Sequence, residues 1–254
     1  MTHDTSDSVP PAVARRTRRI ARAEREEAGL AIGSIGGFDV AYRLDSADED
    51  VIGHSFEKDI FLAALPDYVL PTNGVVLDVG AHIGTFSLLT ARMASQGRVL
   101  AIEACRETCD LLRINAALNG LANIAVHHAA LGATDGMAHL YHDAGGNWGH
   151  TIMQSLSPHS EAVRSISLDT LIKDAGVDRI DLAKFNCEGA EFPILLNASD
   201  DALRVFRTMI VLYHCDLSSG QSHELLLARL ASVGFATEVR DVWGERGWIL
   251  ATRA

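Results

Sequence analysis

The sequence predicts an α/β fold in which parallel strands alternate with helices and deliver polar residues to one edge of an open sheet. Three observations carry this. First, the apolar run Val75-Val76-Leu77-Asp78-Val79 stops at Gly80-Ala81-His82-Ile83-Gly84, and helix-forming residues begin at Thr85-Phe86. That is a strand, a tight turn and a helix N-terminus, with glycines where the backbone must turn sharply and come close to a ligand. Second, Arg98-Val99-Leu100-Ala101-Ile102 is a further apolar run that ends in Glu103. A βαβ unit places an acid there, about 20 residues past the glycine turn, against ribose hydroxyls. Third, the runs at 178–185 and 208–213 end in the polar clusters Asn186 to Glu191 and His214 to Asp216. The ligand crevice of an open α/β sheet lies outside such strand ends.

The spacing of the first turn narrows the ligand. The dinucleotide fingerprint is G-x-G-x-x-G, whereas here the middle glycine position holds His82 and the pattern is G-x-x-x-G after an acid. An acid two residues ahead of the first glycine suits a cationic group, such as the amino group and sulfonium of S-adenosylmethionine, better than a diphosphate. A nicotinamide-dependent oxidoreductase is the rival enzyme reading, because it shares the strand, turn and ribose acid.

Taken in order, residues 1 to 10 are polar, and a charged helix is expected from Pro11 to Leu30, with its arginines ahead of its glutamates. Such a helix covers the site, meets a second copy in a homodimer, or is simply solvated. Phe38 to Leu44 alternates as one strand of a small hairpin. His54-Ser55-Phe56-Glu57 is expected to lead into a helix through Ile60 to Leu65 that stops near Pro66. Glu57 is then either within reach of a cofactor amino group or a first-turn acid favoured by the helix dipole.

Helical spacing over Glu107 to Asn119 precedes Gly120, a third strand spans Asn123 to Ala129, and Met137 to His142 reads as an additional strand. The polar stretch Asp143 to Ser157 is long for a compact domain, which points to function or mobility. Its Trp148 and His150 are candidate acceptor contacts. Val163 to Leu168 and Asp169 to Ala175 form a short strand and helix, His223 to Gly234 a last helix, and Phe235 to Arg240 with Trp248 to Thr252 the closing strand pair.

A chain of 254 residues with 48% hydrophobic residues can bury one large core. The formal charge of −11 argues against general nucleic-acid or acidic-membrane binding, which draws on a Lys and Arg surplus. No run is long and apolar enough for a bilayer, and residues 1 to 8 lack a secretion signal, so a cytoplasmic protein is expected. Its four cysteines contain no C-x-x-C pair and are expected to be reduced thiols. His127, His128, His139, His142, His150 and His159 are dense, but their spacing is not that of a compact ligand pair, and no metal site is read from them.

These motifs resemble the FkbM family of S-adenosylmethionine-dependent methyltransferases. The resemblance rests on Leu77 to Phe86, Ile102-Glu103, Asn115 to Asn119, Ala129 to Gly132, Ser167 to Leu171 and, most specifically, Lys184 to Glu191. It implies a Rossmann-like seven-stranded class I methyltransferase sheet with one antiparallel strand and helices on both faces. The catalytic domain would occupy 55–254, behind an N-terminal extension at 1–54. It implies methyl transfer to an oxygen of a small molecule, such as a sugar or natural product. By motif matching, Asp78, Gly80, Ala81, His82, Gly84 and Thr85 would surround the methionine part. Glu103 with Ala104 would take the ribose, and Ala130 with Leu131 the adenine.

Two departures stand out. Ala104 follows Glu103 where the family often has proline, which changes the turn. The common Lys-x-Asp-x-Glu-Gly is Lys-x-Asn-x-Glu-Gly here. Asn186 can hydrogen-bond the donor or acceptor but cannot remove a proton, and it also fits a non-catalytic S-adenosylmethionine-binding scaffold. Glu188 and His214 become the candidate bases, beyond adjacent strand ends; Glu188 alternatively pairs with Lys184 or the cofactor amino group, and His214 alternatively serves the core. Glu191 is assigned to the acceptor.

Overall fold

The structure, a computed structural model, describes residues 29–58, 60–63, 65, 67–142, 150–153 and 158–253. The central sheet is built from β3 (Val75–Val79), β4 (Arg98–Glu103), β5 (Ile124–His128), β9 (Ile180–Phe185), β10 (Phe206–His214), β11 (Ala236–Trp243) and β12 (Arg246–Thr252). Its order is β11-β12-β10-β9-β3-β4-β5. Only β12 runs antiparallel to its neighbours, pairing with β10 through Thr208↔Thr252 and with β11 through Ala236↔Thr252. All six residues of β9 are buried, as a central strand covered on both faces requires.

Helices α2 (Thr85–Met93), α3 (Arg106–Leu118), α4 (Leu168–Ala175), α5 (Glu191–Asn197), α6 (Asp200–Arg204) and α7 (His223–Ser232) connect these strands. Local chemistry sets their ends. Gly84 enters α2 with φ 91°, where an added Cβ would stand 2.8 Å from Leu112 Cγ. Ser167 caps α4 by accepting from Thr170 N, and Gly176 closes it in the left-handed conformation.

Three features were not read from sequence. Ala130 and Leu131 do not extend β5; they form β6 (Ala130–Gly132) in a separate sheet of order β6-β8-β7 with β7 (Gly136–Tyr141) and β8 (Ser160–Ser167). Leu30 belongs not to a helix but to β1 (Leu30–Ile35), which pairs with β2 (Phe38–Arg43); the rest of the expected N-terminal helix lies outside the described residues. The helix expected through Ile60 to Leu65 instead begins earlier, as α1 (Asp48–Ile52) followed by a π-helical turn over Gly53–Glu57. That turn sits where Ser55 Oγ meets Thr85 Oγ1 at 2.6 Å, a tertiary contact with no local signature.

The hairpin β1–β2 is integral to the core. Phe38, Val40 and Ala41 pack with Ile83, Leu88 and Leu111. Buried Asn115 accepts from Ala41 N and donates to the carbonyls of Ala41 and Ile83, while Asn119 accepts from Asp39 N and donates to Asp39 O. The Arg92 guanidinium lies 3.5 Å from the Phe38 ring centroid and donates to Gly37 O. Asp48, wholly buried, takes a bidentate grip from Arg43.

Candidate active site

A cavity of about 910 Å³ opens at the C-terminal ends of β3, β4, β9 and β10. Its floor is the turn after β3. Gly80 (φ 70°) cannot carry a side chain, because a Cβ would fall 1.8 Å from Asn186 O. This close approach joins the two motif blocks into one surface. The amides of Gly80 and Ala81 both donate to Ile102 O, His82 N donates to Glu103 Oε2, and Gly84 N donates to Ala81 O. With these N–H groups engaged inside the protein, the turn offers little to a diphosphate, against the dinucleotide pattern.

Asp78 does not reach the cavity. Fully buried, it accepts from Ser87 Oγ at 2.6 Å and pairs with Lys184 Nζ at 2.9 Å, while Lys184 also donates to Gly80 O. Its role is beneath the floor, holding the turn through Lys184. This also removes Lys184 as the partner of Glu188. Thr85 lines the cavity but its hydroxyl is taken by Ser55. Glu57 is exposed at the end of the π-helical turn and outside the cavity wall; the altered helical phase presents His54 there instead.

Glu103 lies in the wall with its carboxylate fixed by two backbone amides, His82 N on Oε2 and Cys105 N on Oε1, at 2.8 and 2.9 Å. Burial pushes its carboxyl up, against the pull of those two bonds. Each oxygen keeps a lone pair for a ligand hydroxyl. Ala104, Ala130 and Leu131 line the same end with small apolar surface.

At the other end stand Asn186, Glu188 and His214. Asn186 Oδ1 is a buried acceptor without a hydrogen-bond partner, as a ligand donor would require. The loop that follows is tight: Glu188 takes φ 51°, and its carbonyl accepts from Thr151 Oγ1 at 2.7 Å. His214, 1% exposed, is flanked by two carboxylates, with Nδ1 3.2 Å from Glu191 Oε1 and Nε2 3.5 Å from Glu188 Oε1. Burial alone would lower the imidazole pKa, but Glu191 and Glu188 hold it above the ordinary histidine value. Burial raises the Glu188 carboxyl.

Glu191 lies not against an acceptor but behind His214. It is fully buried and accepts from Cys187 N and Gly189 N. Burial pushes its carboxyl up, yet His214 and the Cys187 amide hold it below the usual range. His150 lines the cavity; Trp148 lies outside the described residues. Arg246, Trp243 and Trp248 from β11 and β12 also line it, without any motif to announce them. Arg246 grips Asp216 and stands 3.8 Å from Glu188 Oε2.

The methyltransferase FkbM domain profile matches residues 78–236, more than half of the chain, from the turn after β3 through His214. The chain belongs to the FkbM methyltransferase family. Its cofactor is therefore S-adenosylmethionine. Relatives of this FkbM chain include methyltransferase sdnD of Sordaria araneosa, 28% identical over 61% of this chain and 72% of that protein. Methyltransferase 1 of Beauveria bassiana is 26% identical over 73% of this chain and 82% of its own length. The AMB antimetabolite synthetase AmbE of Pseudomonas aeruginosa is 26% identical across 94% of this chain, which spans only 13% of that much longer protein. Among solved structures, the N-terminal domain of EvdMO1 with SAH bound superposes with a TM-score of 0.54 at 15% identity, covering 93% of this chain and 97% of that one. This likeness supports the Rossmann-like methyltransferase fold.

Proposed function

We propose that this FkbM methyltransferase transfers a methyl group to a hydroxyl oxygen of a small molecule, with His214 as general base. The observation that carries this reading is a buried imidazole at the cavity wall, its Nδ1 held by Glu191 and its Nε2 turned toward Glu188. When bound, S-adenosylmethionine supplies an electrophilic methyl group on a sulfonium. The protein's own work is to align the acceptor and take its proton. Glu191 fixes Nδ1 as the protonated nitrogen, which leaves the lone pair of Nε2 to receive a hydroxyl proton. Glu188, its carboxyl raised, shares that proton and passes it outward past Arg246. Asn186 Oδ1 accepts from a ligand N–H or O–H, and Glu103 accepts from ribose hydroxyls.

A sugar or natural product is the proposed acceptor class. The name of one relative, an antimetabolite synthetase, supports this class, and the formal charge of −11 disfavours nucleic acid. Incubation with S-adenosylmethionine and a panel of hydroxylated glycosides and polyketides, read by mass spectrometry, tests this. A methyl ether on one acceptor supports it; cofactor binding without turnover on any acceptor supports the scaffold reading.

Glu103→Ala removes the acceptor held by His82 N and Cys105 N. It is expected to weaken S-adenosylhomocysteine binding about tenfold or more, the scale of a lost hydrogen bond to a charged group. Unchanged affinity by calorimetry would remove Glu103 from the site. A second expectation concerns pH. Because Glu191 holds the His214 pKa above its ordinary value near 6.5, kcat/KM should rise with pH through an inflection above that value. Glu191→Gln withdraws the larger of the two charges that raise it and leaves Glu188 against burial, so the inflection should move to lower pH. A profile that stays in place excludes His214 as the titrating group.

A further inference from the structure

The fold gathers three potential metal ligands that the sequence spacing kept apart. One ligand atom each from Cys105, His142 and His150 lie within 4.8 Å of one another. We propose that these residues bind one zinc-class divalent cation.

The cluster is held by two independent scaffolds. Tyr141 and Thr151 form a two-way antiparallel bridge, with Tyr141 N donating to Thr151 O at 2.9 Å and Thr151 N to Tyr141 O at 3.1 Å. The next residues outward are His142 and His150, which this register sets opposite each other, and their ring centroids lie 4.6 Å apart. His142 is fixed further by its N–H, which donates to His159 O. From the other side comes Cys105, 3% exposed and packed with Ala130, Leu140 and Val163. It is the residue that precedes α3, so it stands at the N-terminal end of a thirteen-residue helix.

Charge and softness agree on the ligand. Glu161 places Oε1 3.9 Å from His142 Nε2, and the same oxygen accepts from Arg106 N, so a carboxylate is anchored at the cluster's edge. A cation there would hold the buried sulfur of Cys105 by coordinating it directly. Two imidazoles and a thiolate select zinc over the hard cations magnesium and calcium. On binding, the Cys105 S–H bond breaks, a metal–sulfur bond forms from the sulfur pair, and the proton leaves to buffer.

The position separates this cation from the proposed base. Cys105 follows β4, which lies three places from β10 in the sheet, about 14 Å at a spacing of 4.8 Å per strand. It is two residues past Glu103, and His150 lines the cavity. The cation would therefore tie the β7–β8 sheet to the start of α3 and brace the wall beside Glu103, rather than activate the acceptor.

The test uses the untagged full chain, reduced and stripped with a chelator, titrated with Zn²⁺ in buffers of different ionisation enthalpy and separately with Co²⁺. The expected results are one equivalent of Zn²⁺, proton release, and a thiolate-to-cobalt charge-transfer band. Cys105→Ala abolishes the band, and His150→Ala weakens Zn²⁺ binding by more than about 100-fold, beyond the loss of even an outer-sphere partner. Should Cys105→Ala lose its native circular dichroism, His142→Ala and His150→Ala, both at partly exposed positions, decide. Absence of stoichiometric binding, absence of the cobalt band, or undiminished binding in the histidine variants overturns the proposal.

Discussion

Replacing His214 with asparagine is expected to lower kcat by about 10²- to 10⁴-fold, the usual contribution of a positioned general base, while leaving S-adenosylhomocysteine affinity unchanged. The cavity, Glu103 and the Gly80 turn do not depend on the imidazole, so alignment of donor and acceptor survives, and alignment supplies most of the rate in an in-line displacement. What is lost is the nitrogen that receives the hydroxyl proton. Asparagine is polar, and Glu191 keeps its bonds from Cys187 N and Gly189 N, so the wholly buried carboxylate retains donors. Measured kcat within a few-fold of the parent would show that the proton leaves by another route. Glu188→Gln distinguishes the next candidate, because it abolishes proton passage without altering side-chain volume.

The largest effect on stability is expected from Lys184→Met. Lys184 and Asp78 are 3% and 0% exposed and are joined at 2.9 Å. Phe61 and Phe86 lie over the ammonium at 5.3 and 5.9 Å. Methionine fits that apolar setting, but Asp78 would be left as a buried carboxylate with only Ser87 as donor. Breaking such a pair from one side costs about 3–5 kcal/mol. For a domain of this size that corresponds to a fall in Tm of roughly 6–20 °C. Adding Asp78→Asn removes the stranded charge and should recover much of the loss. A single variant as stable as the parent, measured by thermal unfolding, would show that the pair contributes little to the fold. Because Lys184 also donates to Gly80 O, the variant should weaken cofactor binding as well.

Much of this architecture was legible because it follows from short-range rules. The strand–turn–helix at 75–86, the acid closing β4 and the block at 184–191 each combine period, glycine and polarity within a few residues. One antiparallel strand came with the family resemblance, and the structure identifies it as β12. The roles of individual side chains were less legible, since they depend on partners far along the chain. Asp78 looks like a ligand contact until Lys184 arrives from 106 positions away. Glu191 looks like an acceptor contact until β10 brings His214 across its face. Glu57 lies elsewhere for a different reason: the wider π-helical turn over Gly53–Glu57 rotates the helix, and its contacts, Ser55 on Thr85 and Phe56 on Phe38, come from far along the chain or from the hairpin. Neither β6 nor the grouping of Cys105, His142 and His150 follows from spacing, because a second sheet must form before they meet.

The hairpin pinned by Asn115 and Asn119 bears on how the protein is made. Its anchoring bonds join residues 74 and 80 positions apart, and the apolar face of Phe38, Val40 and Ala41 packs on Ile83, Leu88 and Leu111, which follow it in the chain. At synthesis rates of about 5–20 residues per second, the hairpin leaves the ribosome roughly 4–16 s before its anchors do. For that interval the face of Phe38, Val40 and Ala41 lacks the cover that α3 gives it in the fold, so the hairpin can dock only after α3 emerges.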